Sequence, residues 1–291
     1  MKVLFRLPCW LAVLLVQLLA PLGSTAELPL RIQSVGEESP RGFSRTFRKR
    51  VNVFGIPVYA TADTPDAKVL HAANVLAQYL DNNADGKPDH VQVHAMMKKK
   101  QAGMVMAATE RSFERLDVHR YIPERIWDAM IMQGLFGEET LPGWSRRGRF
   151  DATLEEVLHL ITHAGYAHVY PEVFGEKPGS QIAKAMDLAR GGYFRRVPRS
   201  YPAGAWYTYD DRSCDYGCQI TEYTYWGLTS ILGAQDYPGR GRDIGGEWRL
   251  NTRDKVKQRD PTLYRLLTDP RYRFPSILPD GKYRPRTRPS N

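Results

Sequence analysis

The spacing of hydrophobic and polar residues differs from one segment of the chain to the next. Some segments have the pattern of strands and others that of helices, and their order predicts an α+β protein. Runs that are rich in β-branched or aromatic residues favour strands, whereas apolar residues that recur every three or four positions favour amphipathic helices. Predicted strands lie at 51–61, 103–108 and 127–133, and predicted helices at 68–80, 90–101, 110–116, 153–165, 180–192, 219–233 and 252–267. This order predicts a small mixed sheet packed with helices.

The segment 151–168, DATLEEVLHLITHAGYAH, contains the most amphipathic of the predicted helices. On a helix of 3.6 residues per turn, one side is apolar and the other carries carboxylates and imidazoles. The apolar side holds Leu154, Val157, Leu158 and Ile161, and the opposite side holds Glu155, Glu156, His159 and His163. Thr153 and Glu156 have the spacing of a capping box, and Gly165 is expected to end the helix.

The Glu/His side of this helix has two interpretations. Carboxylates and imidazoles one turn apart can hold one metal ion, with ligand atoms about 2 Å from it. The same stripe is also typical of a helix face that is simply exposed to water. A metal site is the favoured interpretation.

The sequence EEVLHLITHAG resembles the active-site helix of zincin metallopeptidases, in which HExxH is followed by apolar residues and a glycine. Here Glu155 replaces the first histidine of that motif. The resemblance implies that Glu155 and His159 bind zinc and that Glu156 is the general base in peptide hydrolysis. It also implies a zincin-like fold. In a second alignment His159 and His163 are the ligand pair, with Glu156 one turn away as ligand or base.

The predicted helix 219–233 is similar to the second helix of gluzincins, where a glutamate supplies the third zinc ligand. Glu222 takes that position, although Trp226 stands where that family has an acidic residue one turn later. The alternative for Glu222 is an exposed carboxylate near the helix start. Either Tyr223 or Tyr225 is expected to donate a hydrogen bond to an oxyanion.

A second metal motif, DNNADGKPD, connects the predicted helices 68–80 and 90–101. It matches the first nine positions of an EF-hand-like calcium loop, with Gly86 at the turn. The expected ligands are Asp81, Asn83, Asp85, the Lys87 carbonyl and Asp89. Gln92 stands where the bidentate glutamate belongs, so we expect weak Ca²⁺ affinity and a structural role. The alternative is an Asx-rich turn without an ion.

The first 26 residues predict export. Lys2 and Arg6 precede an apolar run, and small residues follow it, as in a secretory signal peptide that is too short to be a membrane span. The mature protein is therefore expected to be secreted and extracellular, and it keeps two of the three cysteines. Cys214 and Cys218 form a candidate disulfide, with a pair of metal thiolates as the alternative.

The remaining chain is expected to be one metal-binding domain, 51–291, preceded by an exposed N-terminal arm at 27–50. Removing 1–26 takes away two positive charges and no negative ones, so the formal charge falls from +9 to about +7. The basic clusters near both ends favour solubility or polyanion binding, and no nucleic-acid motif accompanies them.

Two functions therefore follow from the sequence. One is a secreted protein that binds a divalent metal and hydrolyses peptides with zinc, so its partner is a peptide or protein substrate. The alternative is an extracellular structural or binding protein that Ca²⁺ stabilises and that has no catalysis. No G-x-S-x-G elbow supports a serine nucleophile.

Overall fold

The computed structural model describes residues 30–143 and 148–286. The predicted signal peptide lies outside the described residues. The described chain is a mixed α/β protein built on one five-stranded mixed sheet, as predicted. Its strands are β1 (Gln33–Ser34), β2 (Lys49–Val53), β3 (Ile56–Ala60), β4 (Gly103–Ala107) and β5 (Met132–Phe136), in that order across the sheet. β1, β2 and β3 pair antiparallel, and β3, β4 and β5 pair parallel.

Helices connect and cover the strands. Those before the central segment are α1 (Phe43–Thr46), α2 (Asp66–Leu80), α3 (Val91–Lys99), α4 (Glu110–Glu114), a 3₁₀ turn (Val118–Arg120) and α5 (Glu124–Trp127). Those that follow are α6 (Thr153–Ile161), a π turn (Thr162–Tyr166), α7 (Ala167–Val169), α8 (Pro171–Phe174), α9 (Gln181–Ala189), α10 (Tyr216–Leu232), α11 (Arg240–Asp243), α12 (Arg253–Arg259) and α13 (Pro261–Thr268). Within residues 30–143 and 148–286, no helix is both long enough and apolar enough to span a bilayer.

Both faces of the sheet are covered, because side chains alternate along each strand. Val58 and its partner Met104 face the main core, which also contains α2, α3, α6, α10 and α13. Tyr59 and Val105, one position along, face a smaller cluster on the other side. The sheet therefore has its large helical layer on one face only.

The predicted N-terminal arm is wrong for residues 30–50, which belong to the fold. Phe43 and Phe47 are fully buried in the smaller cluster, where both pack on Tyr59. β1 extends the sheet by pairing with β2. The polar composition of this segment gave no sign that its two phenylalanines would be buried. Burial of each side chain stabilises the folded protein by roughly 2 kcal/mol or more.

The predicted single strand 51–61 is instead a hairpin. Phe54 and Gly55 form its two-residue turn, with φ angles of 51° and 86°. Positive φ at both positions is the geometry of a type I′ turn, which matches the twist of paired strands. Val53 then pairs with Ile56 across the turn.

Two other boundaries differ from the predictions. The predicted strand 127–133 begins as helix α5, after Pro123, and the strand starts five residues later at Met132. The predicted helix 252–267 is divided into α12 and α13 at Asp260, because Pro261 cannot donate the backbone hydrogen bond that would continue α12.

The central segment keeps its predicted amphipathic character, but its ends differ. The predicted capping box is wrong, because Ala152 is the N-cap of α6 and Thr153 is its first residue; the carboxylate of Asp151 instead accepts from the backbone N–H of Thr153 at 3.2 Å. Gly165 does not end the helix, since the π turn carries the chain through it into α7. A Cβ on Gly165 would lie 2.6 Å from Cγ1 of Val93, so this glycine allows α3 to approach closely.

Candidate metal centre

Three side chains of α6 converge between strand β5 and helix α10. Glu155, Glu156 and His159 each offer a ligand atom, and these atoms all lie within 4.8 Å of one another. Among the residues that the structure describes, this is the one group of three or more His, Cys, Asp or Glu side chains that meets this distance. The sequence spacing brought these three residues to one face of the helix, and the fold of the neighbouring elements encloses that face.

His159 is the most enclosed member of the cluster, with 7% of its surface exposed. Its Nδ1 lies 3.6 Å from Oε2 of Glu156, and its Nε2 lies 3.7 Å from Oε2 of Glu222 on α10. Nε2 has no hydrogen-bond partner among the described residues. A buried polar nitrogen without a partner is costly, so it marks a position where a ligand fits.

Glu222 is buried in the second turn of α10, with 9% exposure, and is not an exposed carboxylate at the helix start. The long helix positions it opposite α6, so that Glu222 and His159 face each other across the two elements. The structure thus places Glu222, the predicted third zinc ligand, opposite His159, the predicted second ligand.

Neighbouring polar groups hold the three carboxylates. Gln133 Nε2 on β5 donates to Oε2 of Glu156 at 2.5 Å. The Tyr225 hydroxyl lies near the Glu155 carboxyl, whose pKa it acts to lower, and accepts from Nε2 of Gln235 at 3.3 Å. Tyr209 lies near the carboxyl of Glu222, whose pKa it acts to lower, and both residues line the same cleft. Gln133 and Tyr209 were not predicted, because a strand and a loop remote in sequence carry no local motif.

The charges in the cluster perturb one another. Burial and repulsion from Glu222 raise the pKa of Glu155 to about 8. Burial likewise raises the pKa of Glu222. Burial opposes the charged form of His159, but the carboxylates of Glu222 and Glu156 outweigh it and raise the pKa of His159 to about 9. The cluster therefore retains protons near neutral pH that a divalent cation would displace.

Two of the predicted site residues lie outside this arrangement. His163 is half-exposed, and its Nδ1 lies 2.6 Å from Oε2 of Glu176, so it is engaged one turn away from the cluster. The hydrogen bond that His163 donates to Glu176 raises the pKa of His163. Tyr223 points to another side of α10, where its hydroxyl donates to the Asp260 carboxylate at 2.5 Å. Of the two tyrosines, Tyr225 is the one beside the carboxylates.

Open space reaches the cluster from two sides. A cleft of about 880 Å³ is lined by Glu155, Glu222, Tyr225 and Trp226 among others. A second cleft of about 450 Å³ is lined by His159, Glu222, Gln133 and His163. Glu222 lines both clefts, and each cleft also reaches a member of the α6 cluster, Glu155 in the larger and His159 in the smaller.

The calcium-loop residues serve mainly as hydrogen-bond acceptors for the loop itself. The Asp81 carboxylate accepts from the backbone of Asp85 and Gly86 and from the Tyr283 hydroxyl. The remaining side chains close turns: Asn83 accepts from Asp85, Asp85 accepts from Lys87, and Asp89 accepts from Asn82 and Asn83. Calcium binding stays a prediction.

The predicted disulfide is present between Cys214 and Cys218. It links the residue before the cap of α10 to the first turn of that helix, one turn before Glu222. The bridge thereby ties the loop that carries Tyr209 to the helix that carries Glu222.

The chain was compared with models of known protein families, with curated protein sequences and with solved structures. None of the three comparisons found a match.

Proposed function

We propose that this protein is an exported metal-dependent hydrolase that binds one divalent ion, zinc first among those to test, through Glu155, His159 and Glu222. The observation that carries the proposal is the buried Nε2 of His159, which has no hydrogen-bond partner among the described residues and faces the Glu222 carboxylate at 3.7 Å. Peptides are the proposed substrates, as the likeness to zincins implies.

The distances in the cluster suit a single ion. Ligand atoms at zinc–ligand distances of about 2.1 Å lie roughly 3.4 Å apart in a tetrahedral site, and about 4.2 Å apart where they are on opposite sides of the ion. The separation of 3.7 Å between Nε2 of His159 and Oε2 of Glu222 falls within this range. Glu155 and His159 belong to the group whose ligand atoms lie within 4.8 Å, whereas Glu222 is outside that group, so an ion shared by all three requires their side chains to approach one another.

The charge balance also favours a cation. Three carboxylates and one imidazole share a poorly solvated space, and their repulsion raises the pKa of Glu155. A divalent ion would replace the retained protons and remove that repulsion. A carboxylate-rich ligand set also suits manganese or magnesium, whereas the imidazole favours zinc or another transition metal.

Glu156 is the proposed general base. It lies next to the ligands on α6, and Gln133 fixes its carboxylate with a hydrogen bond of 2.5 Å. When bound, the ion would supply Lewis-acid polarisation of the substrate carbonyl and would acidify water at the site. Glu156 would take the proton from that water, and the Tyr225 hydroxyl beside Glu155 would face the developing negative charge.

Metal binding is tested by titrating purified protein with zinc in competition with a chromophoric chelator. We expect a 1:1 complex, a loss of affinity of about 100-fold or more in His159→Ala, and a similar loss in Glu222→Gln. His163→Ala is the matched control and should bind zinc as the wild type does. Absence of binding by the wild type, or equal losses in all three variants, would contradict the proposed ligand set.

Catalysis is tested on a peptide library with the zinc-loaded protein. Glu156→Gln keeps the size and the hydrogen bond to Gln133 but cannot accept a proton, so it should bind zinc normally while kcat falls by roughly 10² to 10⁴. Equal turnover by wild type and Glu156→Gln would show that Glu156 is not the general base. No turnover by the zinc-loaded wild type would leave a metal-binding protein without the proposed activity.

A further inference from the structure

The larger cleft has an acidic wall beyond the metal centre. Two distant segments form this wall: Tyr207 and Trp248 make an antiparallel bridge, and the N–H of Thr208 donates to the carbonyl of Glu247 at 2.8 Å. This pairing brings Asp210 and Glu247 to the same cleft that Glu222 lines. None of the sequence motifs contains Asp210 or Glu247.

The Glu247 carboxylate is half-buried and makes no hydrogen bond or ion pair with the described residues. Burial, together with repulsion from Asp210 and Glu222, raises the pKa of Glu247 although Arg240 acts to lower it, and all three carboxylates line the same cleft. A carboxylate that is partly removed from water and has no partner is stabilised when a cationic group enters beside it.

The arginines of this cleft compensate that charge only in part. Arg240 is half-buried, but its Nε donates to Gln235 at 2.7 Å and its guanidinium lies 4.4 Å from the centroid of the Phe150 ring. Arg199, Arg212 and Arg249 are exposed at the cleft, as Asp210 is, so water screens these four charges, whereas Glu155, Glu222 and Glu247 are less exposed. The less solvated part of the cleft is therefore acidic.

Trp226 gives a second sign that this cleft holds a ligand. Its side chain lines the cleft and is 6% exposed, and its indole N–H has no hydrogen-bond acceptor among the described residues. A buried donor without an acceptor is costly, so a ligand carbonyl that reached this N–H would be stabilised by it. Tyr209 and Tyr225 line the same cleft, and aromatic walls favour the methylene chain and the charge of a basic side chain.

We propose that Asp210 and Glu247 form a subsite for a Lys or Arg side chain, so that the preferred substrates are peptides with a basic residue close to the scissile bond. The inference rests on the proposed function in placing that bond at the metal centre. The binding of the basic side chain itself depends only on the acidic wall and the aromatic residues of the cleft.

The test measures binding of two fluorescein-labelled hexapeptides to the full-length protein by fluorescence polarisation, with and without zinc. The peptides are identical except for one central residue, which is Lys in the first and norleucine in the second. We expect the Lys peptide to bind about tenfold more tightly. A third peptide, with Glu at this position, should bind more weakly than the norleucine peptide.

Glu247→Gln and Asp210→Asn should each reduce the preference for Lys, and together they should remove it, while affinity for the norleucine peptide stays unchanged. Asp236→Asn, an exposed carboxylate outside the cleft, is the matched control. Thermal unfolding of each variant verifies that it is folded. The inference is overturned by equal binding of the Lys and norleucine peptides, by tighter binding of the Glu peptide, or by the same loss in Asp236→Asn.

Binding and turnover separate the two proposals. A preference for Lys that depends on Glu247, without any cleavage by the zinc-loaded protein, supports the subsite and contradicts hydrolysis. Cleavage that depends on Glu156 but is indifferent to Lys supports the hydrolase and contradicts the subsite.

Discussion

At the residue scale, Asp151 connects the start of α6 to the rest of the molecule. Its carboxylate is buried and accepts from the backbone N–H of Leu141 and Thr153, and it lies 2.6 Å from Nε2 of His71 on α2. One carboxylate therefore bonds the first residue of the helix that carries the candidate metal centre and ties that helix to a neighbouring one. Burial alone would raise the pKa of Asp151, but the bond from His71 and the backbone donors lower it below its usual value.

Asp151→Asn is expected to lower the free energy of unfolding by about 2–4 kcal/mol at pH 7, because it removes the charge from a buried, fully bonded group. Asp66→Asn breaks the exposed ion pair with Lys49 and is the control, with an expected loss below about 1 kcal/mol. Urea unfolding measures both. Similar losses in the two variants would contradict this role of Asp151.

The pH dependence of stability follows from the same group. Because the pKa of Asp151 is lower in the folded protein, its contribution is complete above the unfolded pKa of about 3.9 and is lost as pH falls through the folded value. We expect wild type to lose more stability than Asp151→Asn between about pH 4 and pH 2. Parallel curves of unfolding free energy against pH would refute this expectation.

At the element scale, the π turn after α6 sets how closely α3 packs. Gly165 faces Val93 and Met97 of α3, and a Cβ would lie 2.6 Å from Val93 Cγ1 and 3.3 Å from Met97 Cγ. The glycine is thus needed for helix packing and not for ending a helix. The sequence alone favoured the second role, because glycine after an amphipathic run is the usual C-terminal signal.

Gly165→Ala is expected to destabilise the protein by about 1–3 kcal/mol through overpacking. Val93→Ala makes room, so the double variant should be less destabilised than the sum of the two single changes. Gly204→Ala, at a position where a Cβ meets nothing within 4 Å, should be nearly neutral. Strict additivity of Gly165→Ala and Val93→Ala in thermal unfolding would count against the contact.

The elements differ in how well local sequence predicted them. Helices α2, α3, α6, α9 and α10 and strand β4 were predicted because their apolar periodicity is strong and continuous. The hairpin turn at Phe54 and the break at Asp260 were missed, since in both cases one turn residue interrupts a run that otherwise has uniform character. The displaced start of β5 has the same cause, a proline that begins helix α5 inside an apolar stretch.

At the scale of the whole molecule, the C-terminal segment 274–286 lies against α2 and the predicted calcium loop. The Tyr283 hydroxyl donates to Asp81, the Asn82 side chain bonds the backbone of Ile277, and the Phe274 ring stacks on Tyr166 at 4.0 Å. The loop oxygens therefore anchor the end of the chain to its first long helix.

Asp81→Ala is expected to cost about 2–4 kcal/mol, because the buried carboxylate accepts three hydrogen bonds. Asp85→Ala, at an exposed position in the same loop, should cost about 1 kcal/mol or less. Urea unfolding in millimolar calcium and in EDTA provides the measurement. A loss for Asp81→Ala that occurs only in calcium would show that the loop acts through an ion.

The sequence by itself determined the mixed fold class, the disulfide, and the face of α6 that carries Glu155, Glu156 and His159. Those features depend on the spacing of residues within short segments. That spacing places side chains on the same face of a helix whatever the helix packs against. Only the tertiary structure decided that Glu222 meets His159, that His163 and Tyr223 turn to other partners, and that Gln133, Tyr209 and Glu247 join the site. Their convergence results from packing β5, α6, α10 and two loops around one core, and no local pattern encodes that packing.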